Sequence, residues 1–222
     1  MKKNSHKVTR SQGHKAEILL FISFFLVITA LTGCAKKEIK NIDSKGKNII
    51  CFGDSVTFGY GAEQGGDYPS ALAKMLDYPV INSGIDGDTS SEALRRLKAD
   101  VLSRDPLLVI IEFGGNDFLR KIPQETTVSN ISVMIDKIQE KGAMAAIVDI
   151  SAGMLMSDYR RDFSLLAKEK GAIFIPGVFN GIITNSKYKS DFIHPNIEGY
   201  KLIAARISRA ITPYLRKNSS LR

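Results

Sequence analysis

Short apolar runs alternate with amphipathic segments from Asn48 onward. Five runs rich in β-branched residues predict strands, over residues 48–53, 78–84, 107–114, 143–150 and 172–178. The third run, LLVIIEFG, is almost wholly apolar, which is typical of a strand buried on both faces. The intervening segments predict helices, over residues 68–77, 90–102, 128–141, 157–170 and 196–215. Strands that alternate with helices in this way predict an α/β fold, with one parallel sheet covered on both faces.

The ends of several predicted helices carry their own signals. Thr89 with Glu92 three residues later forms a capping box, and Pro69 suits the first turn of its helix. Lys-Gly pairs ending at Gly142 and Gly171 supply a cation and a residue that tolerates the left-handed conformation. These signals support the helix boundaries that the periodicity predicts. There is no internal repeat and no sign of a second domain.

Four polar motifs follow predicted strands, where the carboxyl ends of parallel strands meet at one edge of the sheet. They are FGDSV after the first strand, NSGIDGDTS (82–90) after the second, FGGND (113–117) after the third, and SDFIHPN (190–196) before the last helix. Because one edge gathers all four, we expect their side chains to form a common site.

The residue types in these motifs are those that acyl transfer requires. Ser55 supplies a hydroxyl, and His194 is the one histidine outside the N-terminal segment that holds His6 and His14. Asp191, three residues before His194, is close enough to orient the ring. The alternatives are a structural or merely exposed His194 and a turn-forming or helix-capping Asp191.

An oxyanion needs several N–H groups directed at one point. The backbone of Ser55 offers the first, and Gly87 can bring its backbone N–H close because it has no Cβ. Asn116 can offer a side-chain amide from the loop after the third strand, where two glycines leave room.

Together, FGDSVTFGYG, NSGIDGDTS, EFGGND and DFIHPN resemble the four sequence blocks of the SGNH, or GDSL, hydrolases. The resemblance spans Asn48 to about Leu215 and is greatest to the branch containing acyl-CoA thioesterase I, lysophospholipase L1 and arylesterases. It implies a flavodoxin-like three-layer α/β/α sandwich with strand order 2-1-3-4-5, without metal or cofactor.

The resemblance also implies a role for each residue at a matching position. Ser55 would be the nucleophile, Asp191 and His194 would complete the triad, and Gly87 and Asn116 would serve with Ser55 as oxyanion donors. Other site chemistries are disfavoured by the residues themselves. One histidine with Cys51, which lies inside a predicted strand, cannot build the usual zinc site, and Thr57 interrupts the Gly-x-Ser-x-Gly elbow of α/β-hydrolases.

The N-terminal segment has the features of an export signal. Residues 1–33 combine a basic start with an apolar run, Ile18 to Gly33, that is shorter than the roughly 20 residues of a usual spanning helix. It ends in LTGC, which resembles a bacterial lipobox and implies lipidation of Cys34. The alternatives are an uncleaved anchor or an ordinary signal. We expect a lipidated tether over 34–47, a hydrolase domain over 48–217 and a tail over 218–222.

Charge changes this picture only slightly. Residues 1–33 hold five of the 31 Lys and Arg residues and one of the 23 Asp and Glu residues, so the remainder carries a formal excess of four positive charges. This excess suits a domain near anionic lipid and does not indicate nucleic-acid binding. We expect an exported monomer anchored to a bacterial membrane, facing the periplasm or the cell exterior.

The loop after the fourth strand, SAGMLMSDY, bears on the substrate. Met154, Leu155 and Met156 would form a flexible wall for an alkyl chain, or else pack in the core or as a lid. The leading hypothesis is a serine esterase that acts on lipid-like or aryl esters or thioesters. The alternatives are a carbohydrate O-acetylesterase and a non-catalytic lipoprotein that binds acyl ligands.

Overall fold

The computed structural model describes residues 38–218. The predicted signal over residues 1–33, the lipidation site Cys34 and the first residues of the predicted tether lie outside this range. Residues 219–222 of the predicted tail also lie outside it.

The described residues contain one five-stranded parallel sheet in the order β2-β1-β3-β4-β5, as expected. The inner strand β1 aligns its Ile50 with Ile81 of β2 and Val109 of β3, and every residue of β3 is buried. The last strand ends before Pro176, which cannot donate to the ladder, and is therefore shorter than predicted. The strands are β1 (Asn48–Gly53), β2 (Val80–Gly84), β3 (Pro106–Glu112), β4 (Met144–Val148) and β5 (Ile173–Ile175).

Helices cover both faces of the sheet. α2 packs against α7, while α3, α5 and α6 pack in a row. Right-handed crossovers place these two groups on opposite faces. No helix within residues 38–218 combines the length and hydropathy needed to cross a bilayer. The helices are α1 (Ser55–Phe58), α2 (Tyr68–Met75), α3 (Ser90–Leu97, continued by a π turn over Lys98–Leu102), α4 (Gly115–Leu119), α5 (Gln124–Glu140), α6 (Ser157–Lys170) and α7 (Ile197–Leu215), with a 3₁₀ turn at Ser186–Tyr188.

The predicted helix signals are confirmed, with one correction. The Thr89 hydroxyl and the Glu92 carboxylate form the full capping box, and Gly171 ends α6 in the left-handed conformation at φ +64°. α5, however, begins at Gln124 rather than Val128. The N–H groups of its first turn already bond to the carbonyl of Pro123, so the helix starts before its apolar periodicity does.

The predicted tether is wrong for the residues that the structure describes. Ile39 and Ile42 pack against the core, and the side-chain amide of Asn41 donates to the carbonyls of Gln139 and Ala143 at 2.8 and 3.0 Å. Both acceptors precede β4. The segment 39–44 is therefore docked at the amino edge of the sheet, opposite the edge that holds the polar motifs.

The C-terminal boundary of the domain also differs from the predicted one. Asn218, assigned to the tail, is 1% exposed, and its side-chain amide donates to the carbonyl of Ser44 at 2.8 Å. The folded domain therefore extends over residues 39–218 rather than 48–217, because two polar segments without helical or strand periodicity pack onto it.

Candidate active site

Ser55 lies at the carboxyl end of β1, an inner strand of the sheet. Asp54 follows β1 and caps α1 by accepting the backbone N–H of Val56 at 3.1 Å. Ser55 is then the first helical residue, whose N–H has no acceptor inside the helix. β2 lies so close to α1 that a Cβ on Gly84 would come within 2.1 Å of the Phe58 nitrogen. The backbone of α1 is thus packed closely against the end of β2, with the serine at the end of β1.

The structure brings Ser55, His194 and Asp191 into one hydrogen-bonded chain. His194 Nε2 lies 3.1 Å from Ser55 Oγ, and His194 Nδ1 lies 2.8 Å from Asp191 Oδ2. Ser55 is buried, while the His194 and Asp191 side chains are 13% and 43% exposed. In this geometry the ring can accept the serine proton while its other nitrogen donates to a carboxylate.

Asp191 also organises its own loop. Its Oδ1 accepts the backbone N–H groups of Ile193 and His194 at 2.9 and 2.8 Å, which is the turn geometry considered as an alternative above. One carboxylate therefore serves both arrangements. The hydrogen bond from His194 and those from the backbone lower the Asp191 pKa from its usual value to about 2, so the group is ionised at neutral pH.

Asn116 is the second residue of α4, which begins after Gly114 at a φ of +122°. Its side-chain amide donates to the carbonyl of Asp88 at 3.0 Å and to Asp54 Oδ2 at 3.2 Å. Gly87, next to Asp88, adopts a φ of +78° that favours glycine. Asn116 thus links the loops after β1 and β2 beside Ser55.

Two buried carboxyl groups lie beneath Ser55, which the sequence analysis did not anticipate. Asp54 and Glu112 are each 3% exposed and lie close enough to influence each other electrostatically. Burial raises the pKa of Asp54. Burial and the charge of Asp54 raise the pKa of Glu112 well above its usual range. Thr57 Oγ1 donates to Glu112 Oε2 at 2.8 Å, so the pair and the nucleophile helix share one network.

Substituting Glu112 with Gln should flatten the dependence of stability on pH. Because burial raises the carboxyl pKa values, the native state binds more protons than the unfolded state above about pH 4.3. The free energy of unfolding therefore falls as pH rises. For one proton the fall is at most about 1.4 kcal/mol per pH unit. Urea unfolding of the wild type, Glu112→Gln and the exposed-carboxyl control Glu140→Gln, between about pH 5 and about pH 8, measures this slope. An unchanged slope in Glu112→Gln would contradict the assignment.

Arg96 connects the same region from α3. It donates to Asp88 Oδ2 at 2.6 Å and to the carbonyls of Ser83 and Gly53 at 2.9 and 3.1 Å, and its guanidinium lies 4.5 Å from the ring centre of Phe52. It therefore holds the ends of β1 and β2 to the loop that carries Gly87. Only the fold brings these acceptors to one arginine.

Asp117, the last residue of the FGGND motif, has a structural role. It is fully buried and accepts the Ser90 backbone N–H at 2.9 Å and the Thr127 hydroxyl at 3.0 Å. It also accepts the Ser90 hydroxyl. This one carboxylate therefore joins α4 to the start of α3 and to α5.

A cavity of about 150 Å³ opens beside Ser55 and His194. Of the three residues predicted to line a groove, Leu155 and Met156 line this cavity. The prediction for Met154 is wrong: it does not line the cavity, and its side chain is 93% exposed because the loop turns it outward. The other apolar side chains of the lining are Val56, Phe118, Leu119, Ile150, Ala152, Phe179, Ile183 and Ile193.

Tyr60 is a further neighbour that sequence reasoning missed. Its ring centre lies 4.4 Å from that of His194 at an interplanar angle of 38°. The only signal for it was its position five residues after Ser55. Phe179 and Ile183 carried no signal, because they follow β5 in a stretch without regular periodicity.

The Cys51 thiol and metal binding are the two other kinds of chemistry that the sequence raised. Cys51 is fully buried in β1, as predicted, and burial raises the pKa of its thiol. Within the described part of the chain, no three His, Cys, Asp or Glu side chains lie where they could hold a metal ion.

Comparison with known proteins gives relatives over most of the chain. An arylesterase from Vibrio mimicus is 29% identical over 208 residues, covering 89% of this chain and 98% of the relative. Thioesterase 1/protease 1/lysophospholipase L1 from Escherichia coli strain K12 is 26% identical over 182 residues, covering 77% and 86%. The uncharacterized lipoprotein YqeF from Bacillus subtilis is 32% identical over 105 residues, covering 44% and 40%.

A solved structure matches the fold as well as the sequence. The psychrotrophic esterase EstA from Pseudoalteromonas superposes with a TM-score of 0.69 at 28% identity, covering 77% of this chain and 99% of that one. The model of the GDSL-like lipase/acylhydrolase family matches residues 51–202, which include Ser55, Asn116, Asp191 and His194. The fold, the order of the motifs and this match agree, and the chain belongs to the GDSL-like lipase/acylhydrolase family.

Proposed function

We propose that this esterase-family protein hydrolyses carboxylic esters or thioesters of lipid-like or aryl acyl substrates through Ser55, His194 and Asp191. The observation that carries the proposal is the hydrogen-bonded chain from Asp191 through His194 to Ser55, at the mouth of an apolar cavity. An apolar cavity takes up an alkyl or aryl acyl group more readily than a sugar.

In the proposed first half-reaction, His194 Nε2 takes the Ser55 proton as Ser55 Oγ bonds to the carbonyl carbon. The C=O electron pair moves onto oxygen, and the resulting oxyanion is held by the N–H groups of Ser55 and Gly87 and by the Asn116 amide. Collapse expels the alcohol or thiol, which His194 protonates. Water then repeats the steps on the acyl-enzyme, releasing the acid and restoring Ser55.

Replacing Asn116 with Ala should lower kcat by about 100- to 1,000-fold with little change in KM, as the loss of one oxyanion donor does. The amide bonds to Asp54 and Asp88 in the free enzyme, and an oxyanion would replace the longer of these bonds, that to Asp54. Asn130→Ala is the matched control, because the Asn130 amide bridges the Ser90 and Ser91 hydroxyls rather than groups of the proposed oxyanion site. Equal kcat values for the two variants would refute the donor role.

The substrate class is tested with a chain-length series of p-nitrophenyl esters against acetylated sugars, with Ser55→Ala as the blank. The expected optimum is an acyl ester that fills the cavity. A preference for acetylated sugars would favour carbohydrate O-deacetylation instead. Acyl binding without turnover, and without labelling by a fluorophosphonate, would favour a non-catalytic lipoprotein.

We also infer that the chain is exported and lipidated at Cys34, which is supported by the basic start, the short apolar run and the LTGC motif. The similarity to a protein named as a lipoprotein supports the same inference. A clickable fatty acid fed to cells should label the wild-type protein and not Cys34→Ser. Equal labelling of the two would overturn the inference.

A further inference from the structure

Exposed apolar side chains concentrate at the edge of the sheet that holds the site. Within residues 38–218, nine of the twelve large apolar side chains that are exposed lie on segments leaving the carboxyl ends of strands. The other three, Met75, Val133 and Leu165, lie on helices α2, α5 and α6. Apolar patches of this kind mark interaction sites, whereas single exposed apolar residues need no explanation.

Six of the nine line the cavity or lie next to a lining residue in the chain, and we call them the apolar rim: Phe118, Leu119, Met154, Leu155, Phe192 and Ile193. Four of the six also line the cavity. The other two, Met154 and Phe192, are adjacent in sequence to lining residues and are the most exposed, at 93% and 86%. Each of the two most exposed side chains of the rim is thus a chain neighbour of a residue that lines the cavity.

We propose that the apolar rim docks this protein on a lipid surface, with Met154 and Phe192 inserted among the acyl chains and the cavity mouth open to the lipid. The docking proposal extends the proposed function, because the delivery of substrate from lipid to Ser55 presupposes that the protein hydrolyses acyl esters. The position of the rim favours lipid over a protein partner. A protein seated on the rim would close the entrance to Ser55, whereas a lipid surface would deliver acyl esters to it.

Charge at the rim also suits a lipid surface. Lys189 Nζ lies 5.4 Å from the ring centre of Phe192, the exposed Lys187 lies two residues before Lys189, and the exposed Lys121 lies two residues after Leu119. Amphipathic side chains with an apolar stem and a cationic end are favoured at membrane interfaces, where they meet anionic headgroups. We therefore expect stronger docking on anionic vesicles than on zwitterionic ones.

The folded domain suffices for the test. EstA matches this domain over 99% of its own chain, so a chain consisting of little more than this domain folds. Residues 36–222 omit Cys34, which removes the proposed acyl anchor from the experiment. The described chain begins at the amino edge of the sheet, so an N-terminal tag there starts at the edge opposite the rim.

The sequence contains no tryptophan, so a single introduced one reports its own surroundings. Phe192→Trp should shift its fluorescence to the blue when vesicles of phosphatidylcholine and phosphatidylglycerol are added. Leu165→Trp, at an exposed apolar position on α6, should not shift. A shift in neither variant, or in both equally, would overturn the proposal.

Vesicle flotation measures the docking itself. The double variant Met154→Ser/Phe192→Ser should partition at least about tenfold more weakly than the wild type, because it removes the two apolar side chains proposed to insert into lipid. Val133→Ser/Leu165→Ser, which removes two exposed apolar side chains elsewhere, should partition as the wild type does. Wild-type partitioning by the rim variant, or none by the wild type, would overturn the proposal.

Activity separates a failure of docking from a failure of the proposed function. On soluble p-nitrophenyl acetate, the rim variant should keep its wild-type kcat/KM, because neither substituted side chain lines the cavity. On lysophospholipid, the wild-type rate should rise above the critical micelle concentration and that of the rim variant should not. Vesicle docking without any ester hydrolysis would support the proposed docking by the apolar rim and refute the proposed esterase function. If the wild type did not bind vesicles but formed a dimer, and the rim substitutions dissociated that dimer, the apolar rim would bind a second copy of this chain rather than lipid. That result would overturn the proposal.

Discussion

Replacing Ser55 with Ala should reduce kcat/KM for p-nitrophenyl esters by about 10⁴- to 10⁶-fold, because it removes the proposed nucleophile while leaving the cavity intact. His194→Ala should cost about as much, and the double variant little more, since the two groups act as one unit. Labelling by a fluorophosphonate should disappear in Ser55→Ala and persist in Ser103→Ala, whose exposed hydroxyl bonds to the Ala99 carbonyl.

The unfolding midpoints of the Ser55 variant and the wild type should be close, because among residues 38–218 the serine oxygen loses only its hydrogen bond to His194. Retained hydrolysis by purified Ser55→Ala would end the assignment. Retained labelling would show that another residue reacts with the phosphonate.

Substituting Asp191 with Asn should lower kcat by about 10⁴-fold without unfolding the loop. The Asn oxygen can still accept the backbone N–H groups of Ile193 and His194. Its amide would face His194 Nδ1, however, and force the tautomer in which Nε2 carries the proton and cannot accept one from Ser55. The measurement is kcat on a soluble ester, together with the free energy of unfolding by urea.

Two further variants serve as comparisons for Asp191→Asn. Asp86→Asn removes a charge from another exposed aspartate at the same edge and should leave kcat unchanged. Asp191→Ala removes the loop hydrogen bonds as well, and we expect it to lose both activity and order in the loop. A loss of less than about tenfold in Asp191→Asn would show that the ring does not depend on this carboxylate for its tautomer.

The sheet and the polar motifs were predictable because they rest on local signals. Apolar runs such as LLVIIEFG, helix caps such as Thr89 and the alternation of elements determine an α/β topology. That topology in turn places every strand-end motif at one edge. Ser55, Asn116, Asp191 and His194 could be named because few other residues offer their chemistry at that edge.

The network around those residues was not predictable. Asp54 and Glu112 meet only because β1 and β3 lie side by side, and Arg96 collects acceptors from three separate segments. These contacts join separate elements of the fold, and a single sequence carries no pairing signal for them. The same holds for Asn41, whose acceptors lie 98 and 102 residues away.

The local pattern along this chain determined its elements, their order and the types of side chain available at one sheet edge, because periodicity and caps act within a few residues. The packed chain alone decided which carboxyls share a buried site, that residues 39–44 dock on the domain, and that Met154 turns outward while Leu155 and Met156 line the cavity. Burial and side-chain direction depend on which distant segments come together, and that is a property of the whole fold.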